Sequence, residues 1–139
     1  MGFLFGKKGP GHQDYVDVGV AAGFALGTAI SRLGAGAPFD AVVHCGTDDP
    51  RIYFLSHGEL DAWTRRNAAT YPRRAICVAI EHDGSPALAV TAWVPGVSVS
   101  ARTAFRTAPF GFDRAMHFSI DDANFVDVVK EAFVLGLSS

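Results

Sequence analysis

Apolar residues run almost unbroken from Val18 to Ile30, and Gly19, Gly23 and Gly27 fall at every fourth position within that run. Residues four apart lie on one face of a helix, so the spacing predicts a strip free of side chains along a helix from Tyr15 to Leu33. Tyr15, Leu26, Ile30 and Leu33 share the face of Gly19 and Gly23, with Gly27 at its edge. Asp17, Thr28, Ser31 and Arg32 fall on the other side. Glycine costs a helix roughly 1 kcal/mol per position relative to alanine unless another surface packs closely against it. The strip therefore needs a partner surface. Gly34-Ala35-Gly36-Ala37-Pro38 ends the helix.

Downstream, the pattern changes from helical to alternating. Ala41 to Cys45 and Ile52 to Leu55 read as two strands joined by the turn sequence Gly46-Thr47-Asp48-Asp49-Pro50. Ser56-His57-Gly58-Glu59 has the form of a capping box. A second helix should then run to about Ala69, burying Leu60 and Trp63 and leaving Arg65 and Arg66 in solvent. Ala75 to His82 and Ala87 to Val94 flank Asp83-Gly84-Ser85-Pro86 and predict a hairpin. Cys77, Ala79, Ala87 and Ala89 read as its small-residue face, the expected seat of the glycine strip; a helix pair across a dimer is the rival.

Pro95-Gly96 turns the chain into a strand from Val97 to Thr107, where Val97, Val99 and Phe105 alternate with Ser98, Ser100, Arg102 and Arg106. Arg114 to Ile120 is the expected last strand. Asp121 or Asp122 should cap a final helix to about Leu135 that buries Phe125, Val128, Val129 and Ala132. This order predicts an α+β fold: one domain over residues 12–139, with an antiparallel sheet of five to six strands and about three helices packed mainly on one face. Residues 1–11 are expected to form a flexible N-terminal tail.

Composition narrows the function classes. Hydrophobic residues make up 49% and charged residues 19% of the 139-residue chain, which favours a folded domain over a disordered one. A formal charge of -2 argues against bulk attraction to nucleic acid or anionic lipid, so no nucleic-acid partner is expected. The run from Val18 to Ile30, bracketed by Asp17 and Arg32, is shorter than the roughly 18 apolar residues of a membrane span, so no membrane partner is expected either. Met1 to Gly11 lacks the apolar core of a signal peptide, and two cysteines, Cys45 and Cys77, make no disulfide framework. A cytoplasmic location follows as the expectation, and the many alanines and glycines suggest a bacterial source.

Catalytic chemistry finds little support. Cys45 with His44 and His57 is the first nucleophile–base candidate, yet neighbouring strand residues point to opposite faces, so His44 is not placed to activate Cys45. Both cysteines read as buried structural residues. A zinc site from Cys45, Cys77 and histidines lacks the close ligand pairs such sites use, and no metal or cofactor is expected. Asp48 and Asp49 read as turn residues rather than as a cation site or acid/base pair. Gly6-Lys7-Lys8-Gly9-Pro10-Gly11 lacks the spacing and the hydroxyl residue of a phosphate loop.

Two other groupings remain. Ser98, Ser100, Arg102 and Arg106 share one strand face, which His117 joins if the last strand pairs there. Arginines so placed hold a carboxylate, a phosphate or an acidic partner through paired hydrogen bonds. Phe110 and Phe112, in a turn-rich connector, and Phe24, on the polar side of the first helix, are candidate interface residues. Ile52-Tyr53-Phe54-Leu55-Ser56-His57-Gly58-Glu59-Leu60-Asp61-Ala62-Trp63 resembles the strand-to-capped-helix segment of SseB-type (enhanced serine sensitivity) domains. The function expected from the residues is that of a non-catalytic bacterial cytoplasmic interaction or accessory protein, with a protein partner or self-association into a homodimer. The alternative is a small-molecule-binding domain or enzyme that holds an anionic ligand near Arg102, Arg106 and His117.

Overall fold

The glycine strip finds its partner within the chain, and that partner is a helix rather than the sheet. The computed structural model describes residues 11–37, 40–46, 50–107, 110–112 and 117–138. Helix α1 (His12–Gly34) runs in the same direction as α3 (Val126–Leu137): Gly19 meets Val129 and Ala132, Gly23 meets Phe133 and Leu137, and Gly27 meets Leu137. A Cβ on Gly19 would lie 2.8 Å from the Ala132 Cβ and 2.9 Å from the Val129 carbonyl oxygen. One on Gly23 would strike the Phe133 carbonyl, and one on Gly136 would strike the Val20 carbonyl. The helices touch backbone to backbone, as only side-chain-free positions allow. The other side of α1 (Val18, Ala22, Ala25, Leu26 and Ala29) rests on the sheet as the centre of the core.

Strands β1 (Ala41–Cys45), β2 (Arg51–Leu55), β3 (Arg74–His82), β4 (Ser85–Val94), β5 (Val97–Thr107) and β7 (His117–Ile120) form an antiparallel sheet in the order β2-β1-β3-β4-β5-β7. The connector expected to be turn-rich holds a short strand instead: β6 (Phe110–Phe112) pairs with Phe105 to Thr107 of β5. The β3–β4 turn is also tighter than the sequence suggests. Asp83 and Gly84 have φ of 53° and 77°, both left-handed, as a two-residue type I′ turn requires, and Ser85 and Pro86 belong to β4. The resulting register pairs Cys77 with Val90 and Ala79 with Leu88. Cys77 and Ala79 of β3 therefore sit beside large residues of β4, while Ala87 and Ala89 lie on the other face opposite Ile80 and Val78. Cys77, Ala79, Ala87 and Ala89 thus do not form one face, and the strip packs on α3 instead.

Between β2 and β3, helix α2 (His57–Asn67) packs on the face away from α1. Its Trp63 ring lies 6.3 Å from Tyr53 and 6.0 Å from Tyr71, above the buried Ala41, Val43 and Ile76. Leu60 and Trp63 were expected to be buried, but no residue of α2 is; both are half-buried. At the other end of the chain a 3-10 turn (Ala123–Phe125), capped by the Asp122 carboxylate accepting from the Asn124 N–H, leads into α3. The fold is thus α+β, with α1 and α3 packed together on one face of an antiparallel sheet and α2 on the other. By length and composition α1 is apolar enough to cross a membrane, with a mean hydropathy of 1.3 over 18 residues, more than the run from Val18 to Ile30 suggests. Here its apolar faces rest on α3 and the sheet.

Candidate functional site

Strand β2 pairs with β1 on one side and, among the described residues, with nothing on the other. Its register places Ile52 beside His44 and Phe54 beside Val42, on the helical face of the sheet. Helix α1 packs mainly over β1, β3, β4 and β5 and covers β2 only in part, through Arg32. Ile52 and Phe54 are consequently 47% and 40% exposed. The Arg32 guanidinium carbon lies 4.0 Å from the centroid of the Phe54 ring, a cation–π contact that leaves part of the side chain in water. Phe24, 39% exposed, stands on α1 nearby, its ring 4.7 Å from that of His44. Phe24, Phe54 and Leu137 border one shallow hollow of about 460 Å³. An apolar band thus follows the open edge of the sheet.

The polar grouping of β5 lies on the opposite side. Val97, Val99, Ala101, Thr103 and Phe105 are buried, while Ser98, Ser100 and Arg102 are half-buried and Arg106 is exposed. The β5–β7 register sets Arg102 opposite His117 and Ser100 opposite Ser119. The Ser100 hydroxyl is 3.0 Å from that of Thr91 across the β4–β5 pair. Arg106 lies across Gly111 of β6. Arg102 and Arg106 stand four positions apart on an extended strand, about 13 Å along it. The backbones of Phe110 and Phe112 form β6; their side chains lie outside the described residues.

At the end of the sheet where β1 finishes and β3 begins, a cleft of about 370 Å³ is lined by His44, Arg51, Arg73, Arg74 and Trp93, with Asp17 and Phe24 from α1. His44 Nε2 is 3.1 Å from the Thr28 hydroxyl, which also lies 3.0 Å from the Phe24 carbonyl oxygen. Burial holds His44 below the usual histidine range. Both cysteines are free and buried. Burial pushes the Cys77 thiol up to about 12 and raises that of Cys45, against the pull of Arg51. Thiols raised in this way stay protonated at neutral pH and are poor nucleophiles.

His57, at the start of α2, borders a separate hollow with Ala79, Ile80, Glu81 and Pro86, so His44, Cys45 and His57 do not converge. Among the described residues no group of three or more His, Cys, Asp or Glu side chains could hold a metal ion. Asp48, Asp49 and the stretch from Gly6 to Pro10 lie outside the described residues. No protein-family model, curated protein or solved structure matches the chain, and the resemblance over residues 52–63 supports no family assignment. The cleft has no counterpart in the sequence pattern, because its arginines come from separate stretches that meet only where strand ends coincide. Arg73-Arg74, placed directly before an alternating strand, is the one local signal that could have pointed to it.

Proposed function

We propose that this chain is a non-catalytic interaction domain that self-associates through the open edge of β2, with Ile52, Phe54 and Phe24 at the contact. The observation that carries this reading is the exposure of three large apolar side chains beside a strand edge that is unpaired among the described residues. An antiparallel strand is complementary to itself about a two-fold axis. Centred on Tyr53, such pairing sets Ile52 of each copy against Phe54 of the other, and Arg51 against Leu55, so no like charges oppose each other. Five residues and one apolar band form a small interface, which implies a weak, concentration-dependent dimer.

Light scattering on a sizing column across a range of concentrations tests the reading. The wild-type protein is expected to shift toward twice its monomer mass as concentration rises, and Ile52→Asp with Phe54→Asp to stay monomeric with an unchanged melting curve. Arg102→Glu is expected to leave the dimer intact. A protein that remains monomeric at millimolar concentration, or a dimer split by Arg102→Glu instead, overturns the assignment of this edge.

A further inference from the structure

Strand β5 has two unlike faces. Its residues turned toward α1 are buried, whereas Ser98, Ser100, Arg102, Ala104 and Arg106, turned the other way, all reach water in part. The register carries this second face across three strands. Ala89 of β4 and His117 of β7 flank Arg102, and Thr91 and Ser119 flank Ser100. His117 and Ser119 are exposed, and Ala89 and Thr91 are half-buried. Helix α2 lies on this side of the sheet but packs at its β2 end. Among the described residues no helix covers β4, β5 and β7 here.

Charge marks the uncovered half. Strands β4, β5 and β7 carry two arginines, one histidine and no aspartate or glutamate. In the whole chain the acidic residues outnumber lysine and arginine, 14 to 12. Neither Arg102 nor Arg106 has an ion-pair partner among the described residues. Cations gathered on one face without counter-charges are complementary to an acidic surface.

The backbone narrows what brings that surface. Strand β4 is paired along both edges, and β5 is paired with β4 on one side and with β6 and β7 on the other. Their face therefore offers no free backbone groups to an extended peptide. A helix satisfies its own backbone and needs only side-chain contact. Ala89, Ser98, Ser100 and Ala104 are short enough to let one approach, as Ala75, Ala92 and Ala101 do for α1 on the reverse side. Two helical turns rise about 11 Å, which glutamate side chains extend to the roughly 13 Å between Arg102 and Arg106.

We propose that the face of β4, β5 and β7 turned away from α1 docks an acidic amphipathic helix of a protein partner, with carboxylates two turns apart held by Arg102 and Arg106. The surface is distinct from the β2 edge, with β1 and β3 lying between.

Titration of the isotope-labelled protein with an alanine-rich helical peptide of about 20 residues, carrying glutamates two turns apart, tests the proposal through backbone amide shifts. Saturable shifts are expected at Ala89, Ser100 and Ser119, weakening as salt is raised. The same peptide with glutamine in place of glutamate should bind about tenfold more weakly. Arg102→Gln with Arg106→Gln should weaken the glutamate peptide by a similar factor and leave the melting curve unchanged. Ile52→Asp with Phe54→Asp should bind the peptide as the parent does, whether or not the β2 edge forms a dimer. No saturable shift at millimolar peptide, equal binding of the glutamine peptide, or an unweakened arginine variant each overturns the proposal. Binding lost in the Ile52 and Phe54 variant moves the contact to the β2 edge and overturns it as well. A single-stranded DNA oligonucleotide saturating the face in preference to the peptide overturns the protein class of partner.

Discussion

Helices α1 and α2 flank the same sheet and are held to it by opposite means. Eight residues of α1 are buried, and its glycines bring the backbone of α3 into contact. Helix α2 buries none of its 11 residues and begins with a complete capping box. There the Ser56 hydroxyl accepts from the Glu59 N–H at 3.1 Å, and the Glu59 carboxylate accepts from the Ser56 N–H at 2.8 Å. One helix is fixed by volume, the other by local hydrogen bonds. The difference also locates the surfaces left for function. The β2 edge lies where the cover of α1 thins, and the open face of β4, β5 and β7 lies beyond the reach of α2.

The strongest way to break this contrast is to add one methyl group to the α1–α3 seam. Gly23→Ala places its Cβ against the Phe133 carbonyl, a backbone atom that moves only if the helices separate. A loss of about 3 kcal/mol or more is expected in denaturant unfolding, as for an overpacked core. Gly136→Ala strikes Val20 from the other side of the same seam. The double variant should therefore cost less than the sum of the two, since one separation relieves both contacts. Strict additivity would show that the two glycines do not share a seam.

How far the sequence reveals these features depends on how local each one is. Gly19, Gly23 and Gly27 announce a close contact because the reason, helix geometry, lies within nine residues. Their partner does not announce itself. Gly136 sits in Val134-Leu135-Gly136-Leu137, which reads as a fraying helix end, and its packing against Val20 depends on how α3 returns over the sheet. Ser56 and Glu59 predict their own capping geometry, since both partners lie within one turn. Arg102 opposite His117 follows from alternation once β7 pairs with β5. The cleft is the opposite case: His44, Arg51, Arg73 and Trp93 meet only through the strand order, which no single stretch encodes.

An intermediate effect is expected at the capping box, and it carries a pH signature that the seam lacks. Ser56→Ala should cost about 1 kcal/mol, read as a lower midpoint in urea. Hydrogen bonds from the Ser56 backbone N–H and side chain hold the Glu59 carboxyl below its usual range. A folded-state pKa below the unfolded value adds stability that is fully present above the unfolded pKa, near 4.5, and is lost as pH falls through the folded value. Glu59→Gln should therefore be less stable than the parent at pH 7 and equal to it in acid. A difference that persists unchanged to low pH would show that the carboxylate is not what the box depends on.

The smallest effect has the opposite sign and isolates the contrast with a single change of residue type. Gly58 lies in the first turn of α2, and a Cβ built there meets nothing within 4 Å. Its φ is not in the left-handed region, so alanine adopts the same backbone without strain. Alanine also narrows the unfolded ensemble and favours the helix, which should stabilise the protein by roughly 0.5 kcal/mol. The same substitution that opens the α1–α3 seam at Gly23 should thus raise the unfolding midpoint at Gly58. Destabilisation at both positions would mean that α2 is as closely packed as α1. A gain at Gly58 with a large loss at Gly23 assigns the tight tolerance to the seam alone.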